Sequence, residues 1–434
     1  MTAFVPAETP HGINLVDVSL FESDQAHEAF RLLRQDAPVH WNPGTQRQNG
    51  FWSLTKYEDI LFVSRNPLMF ISSKGIAGSG LREVNPMEAM QRTQNPGGAS
   101  IITMDPPRHV QMRRLVNKGF TPRAVNAMEP KIRQLTNEIL DDLGDRTEGD
   151  FVLEVSSQLP LAVICGMMGL DRDVWPLMFE LTNSILGSGD PEYQASNVDA
   201  SQVGTAEGAR VTAAGGMMRM LGYFREQLEE RRAHPIEGDL VSILLESEID
   251  GEKLSESDIL AFCFLLVVAG NETTRNAISG GLVALAQHPE ERARLQADIA
   301  AGGTALIDGA VEEILRWTSP LHHMTREATE DVEIRGQQIK AGEKVIMWYP
   351  SANRDEEIFE DPYRFDITRT PNEHIAFGIG EHFCLGAGFA RKEIRVMFEE
   401  LFKRFPDIEV TGAPDRLRSN FINGVKHLPV AYRP

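Results

Sequence analysis

The chain has 434 residues, of which 42% are hydrophobic and 24% are charged, and 63 acidic residues against 43 basic ones give a formal net charge of -20. This composition predicts a globular protein with a real core, and the negative charge argues against nucleic acid or an anionic membrane as a partner. The N-terminus has no basic segment followed by an apolar one, so neither a signal peptide nor a membrane anchor is expected. Three widely spaced cysteines suit a reducing cytoplasm better than a disulfide framework.

The N-terminal part carries the signals of a small sheet and a long loop. Residues 38–41 and 50–54 are predicted to be two short strands of a hairpin. Residues 67–98 are rich in Gly, Ser, Asn, Met and Gln without a clean period, and loops of this length are usually functional. We expect this loop to open and close over a ligand.

Helical patterns dominate the rest of the chain. Residues 106–231 are predicted to be mostly helical, with a break at 187–191 that indicates a movable connection. Ser255, with Asp258 three residues later, is predicted to open a long apolar helix whose strongly apolar run is too short for a bilayer span. Further helices are predicted at 306–317 and from about 385 to 405, with strands at 332–336 and 344–347 around a turn.

A cysteine in a glycine-rich loop stands near the C-terminus. Residues 377–386 read Phe-Gly-Ile-Gly-Glu-His-Phe-Cys-Leu-Gly, immediately before a predicted helix. Glycines let the backbone approach a flat cofactor, and the start of a helix favours the thiolate form of Cys384. Taken alone, a lone cysteine here is better explained as a buried structural residue beside a turn.

The long apolar helix contains polar side chains that are costly to bury. Residues 269–274 read Ala-Gly-Asn-Glu-Thr-Thr. Glu272 in this setting usually marks a function, and Thr273 can bond to a carbonyl group one turn back and open the helix locally. A polar bend whose hydrogen bonds are all satisfied is the alternative.

Two pairs of charged or titratable residues share helix faces. Glu313 and Arg316 stand three residues apart, which also fits an ordinary solvated pair. His109 and Arg113 lie one turn apart on one helix face, and a surface cation or a satisfied histidine is the default explanation for each alone.

These segments together resemble the cytochrome P450 family. Residues 377–386 match its haem-ligand loop, Phe-x-x-Gly-x-(Arg/His)-x-Cys-x-Gly, at every fixed position, and residues 269–274 resemble its oxygen-activation motif. The landmarks follow the family's order from Pro106 to Gly424. The resemblance implies one mainly helical domain over residues 1–434, shaped like a triangular prism with a small β-rich lobe, that buries haem b between the long helix and the Cys384 loop.

The resemblance also implies a role for each matching residue. Cys384 is the expected axial ligand of the haem iron, Glu272 the proton relay, and Thr273 the hydroxyl that assists oxygen activation. The expected haem contacts are Phe377, Gly378, Gly386 and Ala269, and the expected propionate contacts are His109, Arg113, Arg326 and His382. Glu313, Arg316 and Arg364 are expected to form a buried scaffold network rather than to take part in catalysis.

The expected substrate is apolar. Seven residues are predicted to line its cavity by their position and apolar character: Ile101, Ile102, Met104, Val268, Met324, Phe421 and Ile422. The segments 351–355 and 419–429 resemble those of bacterial members that hydroxylate sterol side chains and methyl-branched lipids, and terpenoids are also considered.

The expected reaction inserts one oxygen atom of O2 into a C–H bond. Electrons are expected from a ferredoxin with its reductase, docking on a basic patch formed by Arg114, Lys118, Arg391 and Lys392. Three alternatives remain: a peroxide-driven haem peroxygenase, a haem sensor without catalysis, and a cysteine hydrolase built on Cys384 and His382.

Overall fold

A computed structural model describes residues 9–44, 49–76, 100–194, 198–249 and 251–433. The chain forms two compact units. Unit 1 comprises Met1–Arg113, Leu321–Arg364 and Glu373–Cys384, and unit 2 comprises Arg114–Pro320, Phe365–Asn372 and Leu385–Pro434. Neither unit is one continuous segment, and the single domain over residues 1–434 stays a prediction. Most of the predicted loop at 67–98 lies outside the described residues.

Helices make up most of the described chain, which confirms the predicted mainly α class. The α-helices in chain order are α1 Ser19–Glu22, α2 Ala26–Asp36, α3 Tyr57–Arg65, α4 Arg108–Val116, α5 Pro122–Asp141, α6 Gln158–Met167, α7 Trp175–Leu186, α8 Ala206–Ala233, α9 Leu240–Glu246, α10 Glu256–Gln287, α11 Pro289–Ala300, α12 Ala305–Thr318, α13 Tyr349–Ala352 and α14 Ala387–Arg404. The predicted break at 187–191 follows the end of α7.

The strands are short. They are β1 Val39–Asn42, β2 Phe51–Leu54, β3 Phe70–Ile71, β4 Glu148–Asp150, β5 Glu248–Ile249, β6 Glu252–Lys253, β7 His323–Ala328, β8 Val332–Ile334, β9 Gln337–Ile339, β10 Lys344–Trp348, β11 Glu409–Val410, β12 Asp415–Arg416, β13 Val425–His427 and β14 Pro429–Ala431. One sheet has the order β1-β2-β10-β7-β3 and another the order β11-β14-β4, while β5-β6, β8-β9 and β12-β13 are two-stranded.

The five-stranded sheet belongs entirely to unit 1. Its β1 and β2 are antiparallel with Val39 opposite Leu54, as the predicted hairpin requires. Strand β10 joins β2 in parallel and β7 in antiparallel fashion. Buried side chains from these strands pack with those of α3, and Ile60 and Val345 are both completely buried. Unit 1 therefore has a hydrophobic core of its own.

The predicted strand pair after residue 330 is only partly correct. The strand at 332–334 pairs with β9 Gln337–Ile339, not with the strand at 344–348. The tight turn between them is formed by Arg335 and Gly336, which both have positive φ angles (48° and 78°). Strand β9 was missed because Gln337 and Gln338 are exposed and give it no apolar alternation.

Helix α10 is the long apolar helix that the sequence predicts. Ser255 Oγ accepts from the amide of Asp258 at 3.2 Å, which satisfies one unpaired N–H at the helix start. The helix has 32 residues and is long and apolar enough to cross a membrane. Most of its side chains are buried in the protein, among them charged Glu272 and Arg275, so it is the core helix of unit 2.

Glu313 of α12 is the centre of a buried polar network. Glu313 and Arg316 are both 0% exposed, and two guanidinium nitrogens of Arg316 donate to the two carboxylate oxygens at 2.8 Å each. Arg369 also donates to Glu313, at 3.3 Å, as does Asn372, at 3.1 Å. Arg364 is exposed. The expected arginine of the network is therefore Arg369, and its assignment to Arg364 is corrected, because the chain turns Arg364 outward before it reaches Glu313.

This network predicts how three substitutions rank in stability. We expect Arg316→Met to lower the free energy of unfolding by about 3–5 kcal/mol, because it leaves a buried carboxylate poorly paired. Arg369→Ala should cost about 1–3 kcal/mol and Arg364→Ala less than about 1 kcal/mol. Urea unfolding followed by far-UV circular dichroism measures all three. An Arg364→Ala protein as unstable as Arg369→Ala would restore the original assignment.

Candidate cofactor site

The Cys384 loop of unit 1 is held close to helix α3. Gly378 and Gly380 have positive φ angles of 68° and 76°, which side-chain-bearing residues rarely adopt. A Cβ atom on Gly380 would lie 2.3 Å from the carbonyl oxygen of Ser64, the penultimate residue of α3. The amide of Cys384 donates to Phe377 O at 3.0 Å and closes the loop. Cys384 is half-buried and precedes α14 by three residues, a position that favours a thiolate.

The four predicted propionate contacts lie in the same unit as Cys384. The rings of His109 and His382 stack with their centroids 4.1 Å apart. Arg113 donates to the main-chain oxygens of Glu381 and Phe383, which flank His382. Burial lowers the pKa of Arg113, and the charge of Cys384 acts in the opposite direction. His109 and Arg113 thus connect helix α4 to the Cys384 loop, and both segments were singled out in the sequence analysis.

Arg326 completes this group from strand β7. It is 7% exposed, and burial lowers its pKa. Its Nη1 donates to Thr325 O at 2.8 Å, and no carboxylate among the described residues pairs with it. Asp105 influences the pKa of Arg326, but its own oxygens accept from the amides of Ser72 and Ser73. A buried guanidinium group without a carboxylate partner is costly unless an external anion pairs with it.

The two stacked histidines are neutral. Burial and the nearby positive charge of Arg113 lower the pKa of His109 to about 4. Burial and the charge of Arg326 lower the pKa of His382 to about 2. His382 Nε2 lies 3.2 Å from Ser72 Oγ, within hydrogen-bond distance. A neutral imidazole has one N–H, and that of His109 can serve an anion, whereas the ring of His382 already bonds to Ser72 Oγ and to the main chain of Met104.

The predicted oxygen-activation residues lie on α10 in unit 2. Ala269 is exposed and Thr273 half-exposed, although the surrounding turns of this helix are mostly buried. Thr273 Oγ1 donates to Ala269 O at 2.8 Å, the bond to the preceding turn that the sequence predicted. Glu272 is 1% exposed, and burial raises its pKa, while the charge of Arg275 lowers it.

The seven predicted substrate contacts are divided between the units. Ile101, Ile102, Met104 and Met324 lie in unit 1, and Val268, Phe421 and Ile422 lie in unit 2. Met104 and Ile422 are each 1% exposed, which fits core packing as well as a cavity wall. Their role in binding substrate stays a prediction.

The residues around Cys384 fit a haem group. A thiolate at the start of a helix can ligate iron, and the positive φ angles of Gly378 and Gly380 allow the tight turns that hold Cys384 in its loop. Arg326 and Arg113, neither of which has a carboxylate partner among the described residues, suit two propionates.

The sequence analysis missed Arg275 and Asn183 near Glu272. Arg275 was detectable as a second charge in an apolar helix, whereas nothing in the sequence marked Asn183.

Comparisons with known proteins show what this chain is similar to. A family model described as cytochrome P450 matches residues 206–422. The methyl-branched lipid omega-hydroxylase of Mycobacterium tuberculosis is 41% identical in sequence, and the alignment covers 98% of this chain and 96% of the length of that protein. The steroid C26-monooxygenase of Mycolicibacterium smegmatis is 36% identical, and the alignment covers 98% of this chain and 94% of the length of that protein. A Mycobacterium marinum cytochrome P450 in complex with pseudoionone has a TM-score of 0.87 and 34% identity, covering 99% and 100% of the two chains.

The position of Arg326 predicts a measurable effect on cofactor retention. We expect Arg326→Gln to lose haem about tenfold faster or more, because a charge-assisted hydrogen bond contributes about 1.5–3 kcal/mol and 1.4 kcal/mol is a factor of ten. Transfer of haem to an excess of a haem-accepting apoprotein, followed by absorbance, measures the rate. Arg364→Gln is the control at an exposed arginine. Equal rates for the two variants would show that Arg326 does not hold the propionates.

Proposed function

The chain belongs to the cytochrome P450 family, and we propose that it hydroxylates sterol side chains, methyl-branched lipids or terpenoids with electrons from a ferredoxin and its reductase. The family establishes that it is a monooxygenase with haem b as its cofactor and apolar molecules as its substrates. The observation that supports the site assignment is Cys384, in its tight glycine loop, together with Arg113 and Arg326, which have no carboxylate partner in the part of the chain that the structure describes.

Haem b ligated by a thiolate supplies the oxygen chemistry, in which one atom of O2 enters a C–H bond and the other leaves as water. In this chain Cys384 would hold the iron. Arg326 and Arg113 would pair with the propionates, His109 would donate a hydrogen bond to them, and His382 would support them through its stacking on His109. These four side chains belong to the same unit as Cys384, so they orient the cofactor relative to its own ligand.

Glu272 and Thr273 would control protons. Glu272 is buried, and burial raises its pKa while the charge of Arg275 lowers it, which suits a carboxyl group that both accepts and gives up protons. The Thr273 hydroxyl lies on the exposed side of α10 and is oriented by its bond to Ala269 O. The bond fixes the direction of the hydroxyl hydrogen and leaves the oxygen able to accept a further hydrogen bond.

The substrate proposal depends on apolar side chains and on the relatives. All seven predicted cavity residues are hydrophobic, so substrate binding would be dominated by the burial of apolar surface. Two relatives of similar length are named for oxidation of a methyl-branched lipid and of a steroid. These names support the same class of substrate here.

The ferredoxin proposal depends on exposed cations in unit 2. Arg114 and Lys118 are exposed. Arg391 pairs with Glu312 and Lys392 with Glu129, each at 2.6 Å, so these two cations are partly neutralised. We therefore propose that Arg114 and Lys118 contribute most to the attraction of an acidic ferredoxin, an effect that high salt should weaken.

We also propose that this protein is located in the cytoplasm, because its three cysteines form no disulfide.

Binding spectra test the substrate class. We expect sterols with intact side chains or methyl-branched fatty acids to displace the iron-bound water of the ferric protein and shift its absorbance, with terpenes as a third set. Straight-chain fatty acids serve as the control for nonspecific apolar binding. A chain length series that gives no preference for branched or sterol ligands would contradict the proposal.

A Cys384→Ser variant tests the assignment of Cys384 as the iron ligand. If its ferrous carbon monoxide spectrum matches that of the parent, that assignment is wrong.

Replacing Thr273 tests the oxygen chemistry. Thr273→Ala should still consume NADH and O2 through the ferredoxin system, but its product yield per NADH should fall about tenfold or more, with the remainder recovered as hydrogen peroxide. Thr273→Ser, which keeps the hydroxyl, should restore most of the yield. If Thr273→Ala keeps the parent yield, the hydroxyl has no part in activating oxygen, and a peroxide-driven enzyme becomes the better description.

A further inference from the structure

Both ring nitrogens of His427, the last residue of strand β13, face carboxylates. Nδ1 lies 2.5 Å from Asp150 Oδ2 on strand β4, and Nε2 lies 2.8 Å from Glu192 Oε1 in the short turn after α7. A neutral imidazole has one N–H and can donate to only one of these carboxylates, whereas the imidazolium form donates to both. The arrangement therefore fits the protonated form of His427.

Lys426, the neighbour of His427, binds to the same turn. Its ammonium nitrogen lies 3.2 Å from Asp190, 3.0 Å from Glu192 and 3.4 Å from Asp415. Glu192, Asp415 and His427 offer ligand atoms within 4.8 Å of one another, as a metal site would. The ammonium group already pairs with both of these carboxylates, so a metal ion would have to displace it. We therefore interpret the cluster as an ion-pair network.

This network connects the end of α7 to the C-terminal part of the chain. Asp190 is 2% exposed, and its Oδ2 accepts from the amide of Arg418 at 3.1 Å. One residue later, Ser419 Oγ accepts from the amides of Phe421 and Ile422, the two predicted substrate contacts of this segment. The turn that follows α7 is thus fixed to the segment that carries these two side chains.

The two carboxylates that bind His427 differ in how firmly they are held. Asp150 also accepts from two main-chain amides, at 2.9 and 3.2 Å. The side chain of Glu192 is 39% exposed, and Lys426 is its only other side-chain partner in the described part of the chain. When His427 loses a proton, its remaining N–H therefore stays with Asp150, and the bond to Glu192 is lost.

We infer that His427 is a pH-sensitive latch, which holds the turn after α7 on β13 while it is protonated and releases Glu192 when it is deprotonated. Release lets the end of α7 move away from Phe421 and Ile422 and speeds the entry of apolar ligands. Lys426 keeps its bond to Glu192, so deprotonation weakens the latch and does not remove it. The role in ligand entry rests on the proposed function, because it takes Phe421 and Ile422 as cavity residues.

The charges next to His427 give the sign of the pH effect. Burial lowers its pKa, but the hydrogen bonds to Asp150 and Glu192 outweigh burial and raise the pKa above its ordinary value of 6.5. Strand β12 adds one carboxylate and one cation, Asp415 and Arg416, and Asp415 is the residue opposite His427. The latch is therefore closed below pH 6.5, and its contribution to stability is lost as the pH rises through the raised pKa.

Other elements near the latch carry groups that are paired elsewhere or uncharged. Glu154, in the turn after β4, accepts from Arg146 at 2.8 Å. On α10, which also packs against β13, Glu272 and Arg275 pair with each other. Burial raises the pKa of Tyr193, in the turn after α7, so this residue stays neutral near neutral pH. The charged groups that act on His427 are therefore Asp150, Asp190, Glu192, Asp415, Arg416 and Lys426.

Histidine NMR tests the latch without any ligand. The ring signal of His427, identified by its absence in His427→Gln, should titrate with a pKa above 6.5. In Glu192→Gln this pKa should fall by about half a unit or more, because one of the two carboxylates has lost its charge. A pKa of 6.5 or lower in the parent, or one that Glu192→Gln leaves unchanged, would overturn the inference.

Stopped-flow binding tests the role in ligand entry. Tebuconazole, an apolar triazole that is uncharged near neutral pH and binds to haem iron, serves as the probe, so the result does not depend on the proposed substrate class. At about pH 6 it should bind about two- to fivefold faster to His427→Gln than to the parent, the effect of a half-exposed ion pair, and at about pH 9 the two rates should be equal. His234→Gln, at an exposed histidine after α8, is the control and should bind like the parent. A ratio of rates that is the same at both pH values would overturn the inference.

Two further variants separate the charge of His427 from its packing. His427→Arg keeps a positive charge that can donate to both carboxylates, so it should bind tebuconazole slowly at both pH values. Glu192→Gln should bind it about as fast as His427→Gln at about pH 6. Equal rates in His427→Arg and His427→Gln at that pH would show that the charge does not hold the turn and would overturn the inference. If tebuconazole follows the latch but no sterol, branched lipid or terpene binds, only the proposed substrate class fails.

Discussion

An anionic sulfur can ligate a metal in a protein only where the main chain holds it in place and its surroundings favour the thiolate. Cys384 meets the first condition through the approach of Gly380 to the carbonyl of Ser64 and through its own amide, which donates to Phe377 O. Ser64 belongs to α3, which packs on the sheet of unit 1. The position of the sulfur therefore depends on a hydrophobic core formed by residues remote from it in sequence.

The protein keeps buried charge in two different ways. Glu313 of α12 accepts from two arginines, an asparagine and a main-chain amide, so its charge is fully compensated within unit 2. Arg326 of unit 1 has no carboxylate partner among the described residues, and burial lowers its pKa. The first arrangement is complete without any external group. The second is incomplete until an anion binds, which is expected of a cofactor site and not of a scaffold.

What the sequence could predict depended on how local each interaction is. The Ser255 cap, the Thr273 bond to Ala269 and the hairpin of β1 and β2 involve residues close in sequence, and all were predicted correctly. The resemblance to the family could be recognised for the same reason, from the short motifs at residues 377–386 and 269–274. Their residues are contiguous, so that no tertiary distance had to be known.

The predictions that failed required a choice between distant partners. Arg364 and Arg369 are both near enough in sequence to reach Glu313, and only the path of the folded chain makes Arg369 the partner. Strand β9 has no alternating apolar pattern, so its pairing with β8 follows from the turn at Arg335 and Gly336 rather than from hydrophobicity. Asn183 is an unremarkable polar residue until α7 lies beside α10.

The polar residues of α10 show how one helix can serve two environments. The side that carries Ala269 and Thr273 is open, whereas the side that carries Glu272 and Arg275 is closed by α7. Adjacent residues reach both sides because an α-helix turns by about 100° per residue. The sequence shows that the charges of Glu272 and Arg275 are both present in this helix, but not that α7 is the neighbour that binds Arg275.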